Sequence, residues 1–160
     1  MIHRDLNFIN QIMKKNYFIK VLVIYSFLIS SATALPINNF EEGIKLYQMK
    51  KFEESKFFFE RDIVFNPKSE KSYLYLAKIF KEEDNEEEEE MNLNNVLLIN
   101  PQNDEAIYML TLLKIKQFDY DHAKKLISTF DLVCESFCSK KEEIKKKFKK
   151  LTPENAKDND

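Results

Sequence analysis

The stretch SEKSYLYLAKIFKEEDNEEEEEMNLNNVLLINP, residues 69–101, decides the fold. It begins just after Phe65-Asn66-Pro67 and ends on Ile99-Asn100-Pro101, so one apolar-Asn-Pro signature recurs with its prolines 34 residues apart. A fixed period of that size, filled by two amphipathic stretches that each stop before a proline, marks the helix-turn-helix unit of a solenoid. Composition points the same way. Among 160 residues there are one Gly and four Pro, while Lys, Glu, Leu and Ile dominate, so local propensity favours helix nearly everywhere after residue 38. With 14 Phe, 7 Tyr and 44% hydrophobic residues the chain can build a core, and an all-α domain is expected.

Set in this period, a first unit from Pro36 carries Gly43, Phe52, Phe59 and Pro67. A small residue at Gly43 lets two helices approach closely, and the two Phe fill the gap between them. A second unit, Glu70–Asn103, carries Tyr73, Leu76, Ala77, Phe80 and Pro101. A third starts at Asp104 with Ile107 and Leu110 and continues through Phe118-Asp119-Tyr120-Asp121-His122-Ala123, but its closing proline is missing.

On these residues the chain resembles a tetratricopeptide repeat (TPR) protein of the small exported bacterial type. The resemblance covers about residues 36–130 and implies an α-solenoid of three TPR helix pairs, at about 36–69, 70–103 and 104–137. Ser55 and Asp62 depart from the small residues of the family pattern, as Phe118 does from a glycine and Glu89 from an alanine. The resemblance implies a non-catalytic module without a cofactor, whose first helices line a groove for a peptide or helix of another protein. That groove maps to Phe40, Ile44 and Tyr47, then Leu74, Lys78 and Lys81, then Tyr108, Leu112 and Ile115. Self-association is a further option for the same faces. The Lys and Asn set that clamps a C-terminal carboxylate in chaperone-binding members is absent.

Outward from the repeats, the N-terminus reads as an export signal. Lys14, Lys15 and Lys20 precede the apolar run Val21–Ile29, which ends in Ser30-Ser31-Ala32-Thr33-Ala34. The run is shorter than the ~20 residues of a membrane-spanning helix, and Ala32 and Ala34 suit a signal peptidase. Cleavage after Ala34 is expected, with Met13 a more typical start than Met1. The alternative is a retained inner-membrane anchor. Without residues 1–34, which carry Arg4, Lys14, Lys15, Lys20 and Asp5, the remainder holds 21 basic and 26 acidic groups, a formal charge of about −5. Such a chain lacks the footprint of a nucleic-acid binder. A periplasm or the outside is its expected compartment.

Towards the C-terminus, Lys140–Leu151 has Ile144, Phe148 and Leu151 on one stripe opposed by seven lysines, which reads as a capping helix; Ser139 and Glu142 are spaced as a capping box for it. Residues 152–160 lack apolar periodicity and read as a disordered tail. Cys134 and Cys138 are the only cysteines, and in an oxidising compartment they are expected to pair. Side chains four apart on a regular helix sit ~5–6 Å apart at Cβ, whereas a disulfide needs ~3.8 Å, so pairing requires the helix to break between them. A thiol-disulfide or metal protein built on this pair is the remaining rival. The run Glu86–Glu90 reads as a solvated charge run at a helix start rather than a calcium loop, since no turn-forming Gly accompanies it. His122 is the one histidine after residue 34 and has neither a nucleophile motif nor a phosphate loop beside it.

Overall fold

A computed structural model describes residues 38–151 of the chain; the expected signal peptide and C-terminal tail lie outside them. Seven α-helices follow one another: α1 (Asn39–Gln48), α2 (Phe52–Phe65), α3 (Glu70–Glu82), α4 (Glu86–Ile99), α5 (Asp104–Lys116), α6 (Tyr120–Val133) and α7 (Lys141–Leu151). α1 packs on α2, α3 on α4 and α5 on α6; α2 then packs on α3 and α4 on α5, which makes an all-α solenoid of three pairs. The cap, α7, packs on both α5 and α6. No helix among the described residues is long and apolar enough to cross a membrane.

The boundaries follow from local chemistry. Asn38, Asn85, Asn103 and Asp119 each precede a helix and accept a hydrogen bond from the backbone N–H three residues on, satisfying a donor with no partner inside the helix. Each first helix ends in the same turn. Lys51 N–H reaches Leu46 C=O at 3.0 Å, Asn85 N–H reaches Phe80 C=O at 2.9 Å and Asp119 N–H reaches Lys114 C=O at 2.9 Å. The residue before each donor is left-handed: Lys50 at φ 59°, Asp84 at 55° and Phe118 at 60°. This is the helix-ending motif that glycine normally serves, and here three side-chain-bearing residues spaced by one repeat occupy it. A left-handed L-residue costs roughly 1–2 kcal/mol, against about 0.5–1 kcal/mol of chain entropy for glycine. Phe118→Gly is therefore expected to raise stability by about 0.5–1 kcal/mol, because the ring is mostly exposed and little packing is lost. A lower denaturation midpoint for this variant would contradict that account of the turn.

Gly43 meets its expected role. A Cβ there would lie 2.7 Å from the Phe59 ring, so only glycine allows α1 to approach α2 so closely. Ser55 fastens the same contact by donating from Oγ to the Gly43 carbonyl at 2.8 Å. Asp62, out of pattern in the sequence, accepts from Ser69 Oγ at 2.5 Å and Ser72 Oγ at 2.6 Å, joining the first repeat to the second. Two apolar clusters result. One surrounds Phe59, Leu76 and Ile79, and the larger one centres on α5 and reaches from Leu74 to Ile144.

The junction at the missing proline is built differently from the others. Glu70 Oε1 accepts from the side-chain amides of Asn100 and Asn103, holding the Asn100-Pro101 turn. One repeat later, Asp104 Oδ2 accepts from the backbone N–H groups of Glu135 and Phe137, each at 2.8 Å. The turn held there is closed by a Cys134–Cys138 disulfide instead of proline, with Cα atoms 5.1 Å apart. α6 stops at Val133, Cys134 is extended, and a 3-10 turn, Cys138–Lys140, leads into α7. Ser139 lies inside that 3-10 turn and its hydroxyl accepts from no backbone N–H at the start of α7, so the expected capping box does not form.

Burial pushes the Asp104 carboxyl up, but the N–H donors of Phe137, Glu135, Ser136 and Glu105 outweigh it and hold it below its ordinary value. A depressed carboxylate stabilises the fold above its unfolded pKa near 3.8, and that contribution is lost as pH falls through the folded value. Asp104→Ala is expected to cost about 1–2 kcal/mol at pH 7, read from urea melts, and to cost nothing once the pH is low enough to protonate Asp104.

Candidate functional site

The nine side chains expected along the first helices separate into two groups. Phe40, Ile44 and Tyr47 on α1 are half-buried and meet α3 through Tyr75, whose ring centroid is 6.0 Å from that of Phe40 and 5.1 Å from that of Tyr47. Lys78 lies 4.7 Å above the Tyr75 ring and pairs with Glu105 of α5 at 2.8 Å. Lys81 is exposed and Leu112 half-buried. These six make a continuous, solvent-reachable strip across the first helices.

Leu74, Tyr108 and Ile115 do not belong to that surface. Leu74 and Tyr108 are each 8% exposed and Ile115 is 1% exposed. Leu74, on α3, is packed into the larger core cluster, whereas on α5 it is α7 that takes the place a further repeat would occupy and packs against the helix. Tyr108 donates from its hydroxyl to Glu143 Oε1 at 2.8 Å, and Lys140 of the same segment lies 5.9 Å from its ring. Burial, then the Glu143 carboxylate, pushes the Tyr108 phenol up to about 12. Tyr108 therefore fastens the cap. Sequence spacing places it correctly on the helix but does not show that α7 folds back over it. On α7 itself Ile144 is fully buried and Phe148 half-buried, whereas Leu151 is 44% exposed.

Leu151 is left open because it borders a pocket of about 370 Å³ at the closed end of the strip. Leu112, Leu113 and Ile115 of α5 and Leu151 of α7 form its apolar wall; Lys81, Asp84, Lys116 and Lys147 also line it. Glu89 of α4 borders the same space. Expected as part of a solvated run, Glu89 is instead 5% exposed. It stands one repeat from Ser55 and one from Ala123, both fully buried, so it occupies the contact point between the two helices of its pair. That equivalence is the only sequence signal of its burial. Among the described residues no hydrogen bond or ion pair reaches its carboxyl, and burial pushes its pKa up to about 7 against the pull of Lys81 and Lys116.

His122 is exposed and hydrogen-bonded through Nδ1 to Asp119 at 2.5 Å. No group of three or more His, Cys, Asp or Glu side chains among the described residues is placed to hold a metal ion. The second helices carry a separate apolar row at the repeat spacing: Val64, Leu98 and Leu132, exposed by 75%, 82% and 87%.

No protein-family model matches the sequence, and no curated protein is close enough to count as a relative. Solved structures do match. The first TPR of Spaghetti (RPAP3), bound to the HSP90 peptide SRMEEVD, superposes with a TM-score of 0.63 over 71% of this chain and 90% of that one, at 15% identity. The second TPR domain of human RPAP3, in complex with the HSP70 peptide SGPTIEEVD, gives 0.58 over 68% and 93% at 16% identity. The Sgt2 TPR domain from Aspergillus fumigatus gives 0.60 over 75% and 84% at 15% identity. Three helix pairs at a period of 34 residues, each with its left-handed turn, together with these superpositions, show that the chain has the tetratricopeptide-repeat fold.

Proposed function

We propose that the chain is a non-catalytic protein-binding module of the bacterial cell envelope that takes a peptide or helix of another envelope protein along its first helices. One observation carries this reading: the strip from Phe40, Ile44 and Tyr47 through Lys78 and Lys81 to Leu112 offers half-buried aromatic and aliphatic groups beside cations on a rigid scaffold. Surfaces of this kind anchor partners. RPAP3 domains of the same fold are solved with bound peptides. Export is supported by the basic, apolar and small-residue pattern before Leu35, and an oxidising compartment also suits a Cys134–Cys138 disulfide.

Capture from envelope extract tests the binding face. Ile44→Glu combined with Lys81→Glu should remove the partners retained by the native chain, while Leu98→Glu on the second helices should keep them. Circular dichroism of each variant establishes that it is folded, and an unchanged partner set for the double variant overturns the assignment. N-terminal sequencing of the isolated protein separates a cleaved chain starting near Leu35 from a membrane-anchored assembly subunit.

A further inference from the structure

The pocket at the closed end of the strip has two features that the rest of the strip lacks. Its wall is aliphatic, and its charged groups are out of balance. Lys81 and Lys147 line it and make no ion pair among the described residues, whereas Lys116 is held by Glu86 at 3.0 Å and Asp84 at 3.3 Å. Glu89, only 5% exposed as a residue, borders the pocket with no hydrogen bond or ion pair to the rest of the described chain, its carboxyl oxygens still open to the pocket. Two departures from the repeat pattern produce this arrangement. A glutamate stands where Ser55 and Ala123 stand in the other pairs, and α7 supplies Lys147 and Leu151.

We propose that this pocket is a proton-gated site for an acidic peptide segment, which inserts an apolar side chain against Leu112 and Leu151 while its carboxylates lie on Lys81 and Lys147, and that Glu89 must be protonated for it to enter. The proposal rests on the protein-binding reading above and names the chemistry of the segment and its control. A neutral Glu89 is a donor with an open position, able to hydrogen-bond a carboxylate or carbonyl of the incoming chain. An ionised Glu89 places a like charge beside that carboxylate, and the two repel. The charged groups facing Glu89 are Lys81 and Asp84 at the end of α3, Glu86 on its own helix, Lys116 on α5 and Lys147 on α7. With Glu89 neutral, the three lysines outnumber Asp84 and Glu86, and the pocket favours an anion.

Protonation of Glu89 falls from nearly complete at pH 6 to about one tenth at pH 8 for a group titrating near 7, so affinity should fall about tenfold across that range. A glutamate-bearing peptide keeps its own charge throughout. His122 lines a different pocket, with Glu90 and Lys125, and the Glu89→Gln variant separates the two groups.

The test is a ¹H–¹⁵N NMR titration of the isotope-labelled chain with three blocked peptides in which Leu-Phe is flanked by glutamates, by glutamines or by lysines. The glutamate peptide is expected to shift the amides of Leu112, Leu113 and Lys116, about tenfold more tightly at pH 6 than at pH 8, with the glutamine peptide weaker and the lysine peptide weakest. Glu89→Gln should make the affinity independent of pH over this range. Lys81→Glu with Lys147→Glu should weaken the glutamate peptide by about tenfold or more. Tighter binding of the lysine peptide, or a pH dependence that survives Glu89→Gln, overturns the proposal. Shifts confined to Phe40–Tyr47 overturn the pocket but leave the protein-binding face standing, and no shifts with any peptide count against both.

Discussion

Phe59→Ala is expected to lower stability by about 3–5 kcal/mol, among the largest effects of any single truncation in the chain. The ring is fully buried, stacks on Tyr75 with centroids 5.2 Å apart, tilts against Phe40 at 5.9 Å and fills the space that the missing Cβ of Gly43 leaves. One side chain thereby joins both helices of the first repeat to the first helix of the second. In a solenoid each repeat leans only on its neighbours, so losing this contact should release α1 and α2 before the rest of the stack. Urea melts followed by circular dichroism should show an early partial loss of helix. Phe57→Ala, which removes a largely exposed ring two residues away, should change stability by no more than ~0.5 kcal/mol. Equal costs for the two variants would contradict the packing account.

Glu89→Gln is expected to be stabilising, increasingly so as the pH rises from 5 to 8. The folded chain holds the Glu89 proton up to about pH 7, whereas the unfolded chain releases it near 4.5. Between those values the folded state binds more protons, so stability falls as pH rises and levels out above the folded pKa. At 1.36 kcal/mol per unit the full effect is at most ~3.4 kcal/mol. Asp104 works in the opposite sense at lower pH, where its depressed carboxylate costs stability on protonation. Urea midpoints of the native chain should therefore decline between pH 5 and 8, and those of Glu89→Gln should decline much less. Parallel pH profiles for the two proteins would show that Glu89 is ionised at little cost, and the burial argument would fail.

The fold was legible because its determinants are local. Proline cannot continue a helix, so Pro67 and Pro101 punctuate the chain at one period, and Gly43 with Phe59 marks a close crossing that only a small residue permits. What the sequence concealed depends on contacts distant in the chain. Five consecutive glutamates read as a solvated run, and only the equivalence of Glu89 with Ser55 and Ala123 signals that one of them turns inward. Tyr108 and Ile115 sit at groove spacing on α5, but α7 returns across that helix and buries them. Nothing in the sequence around Asp104 marks it as the residue that holds the Cys134–Cys138 turn. Its carboxylate accepts from Glu135 and Phe137, as Glu70 accepts from Asn100 and Asn103 one repeat earlier.

Site-specific photo-crosslinking in the producing cell tests the central claim most directly, because it captures a partner of any identity where it binds. A photoreactive phenylalanine analogue placed at Tyr47 or Leu112 reports on the first helices, and one at Leu98 reports on the exposed row of the second helices. The account predicts discrete protein adducts from positions 47 and 112 and none from 98. Adducts from position 98 with none from 47 or 112 would place the binding surface on the second helices and contradict it.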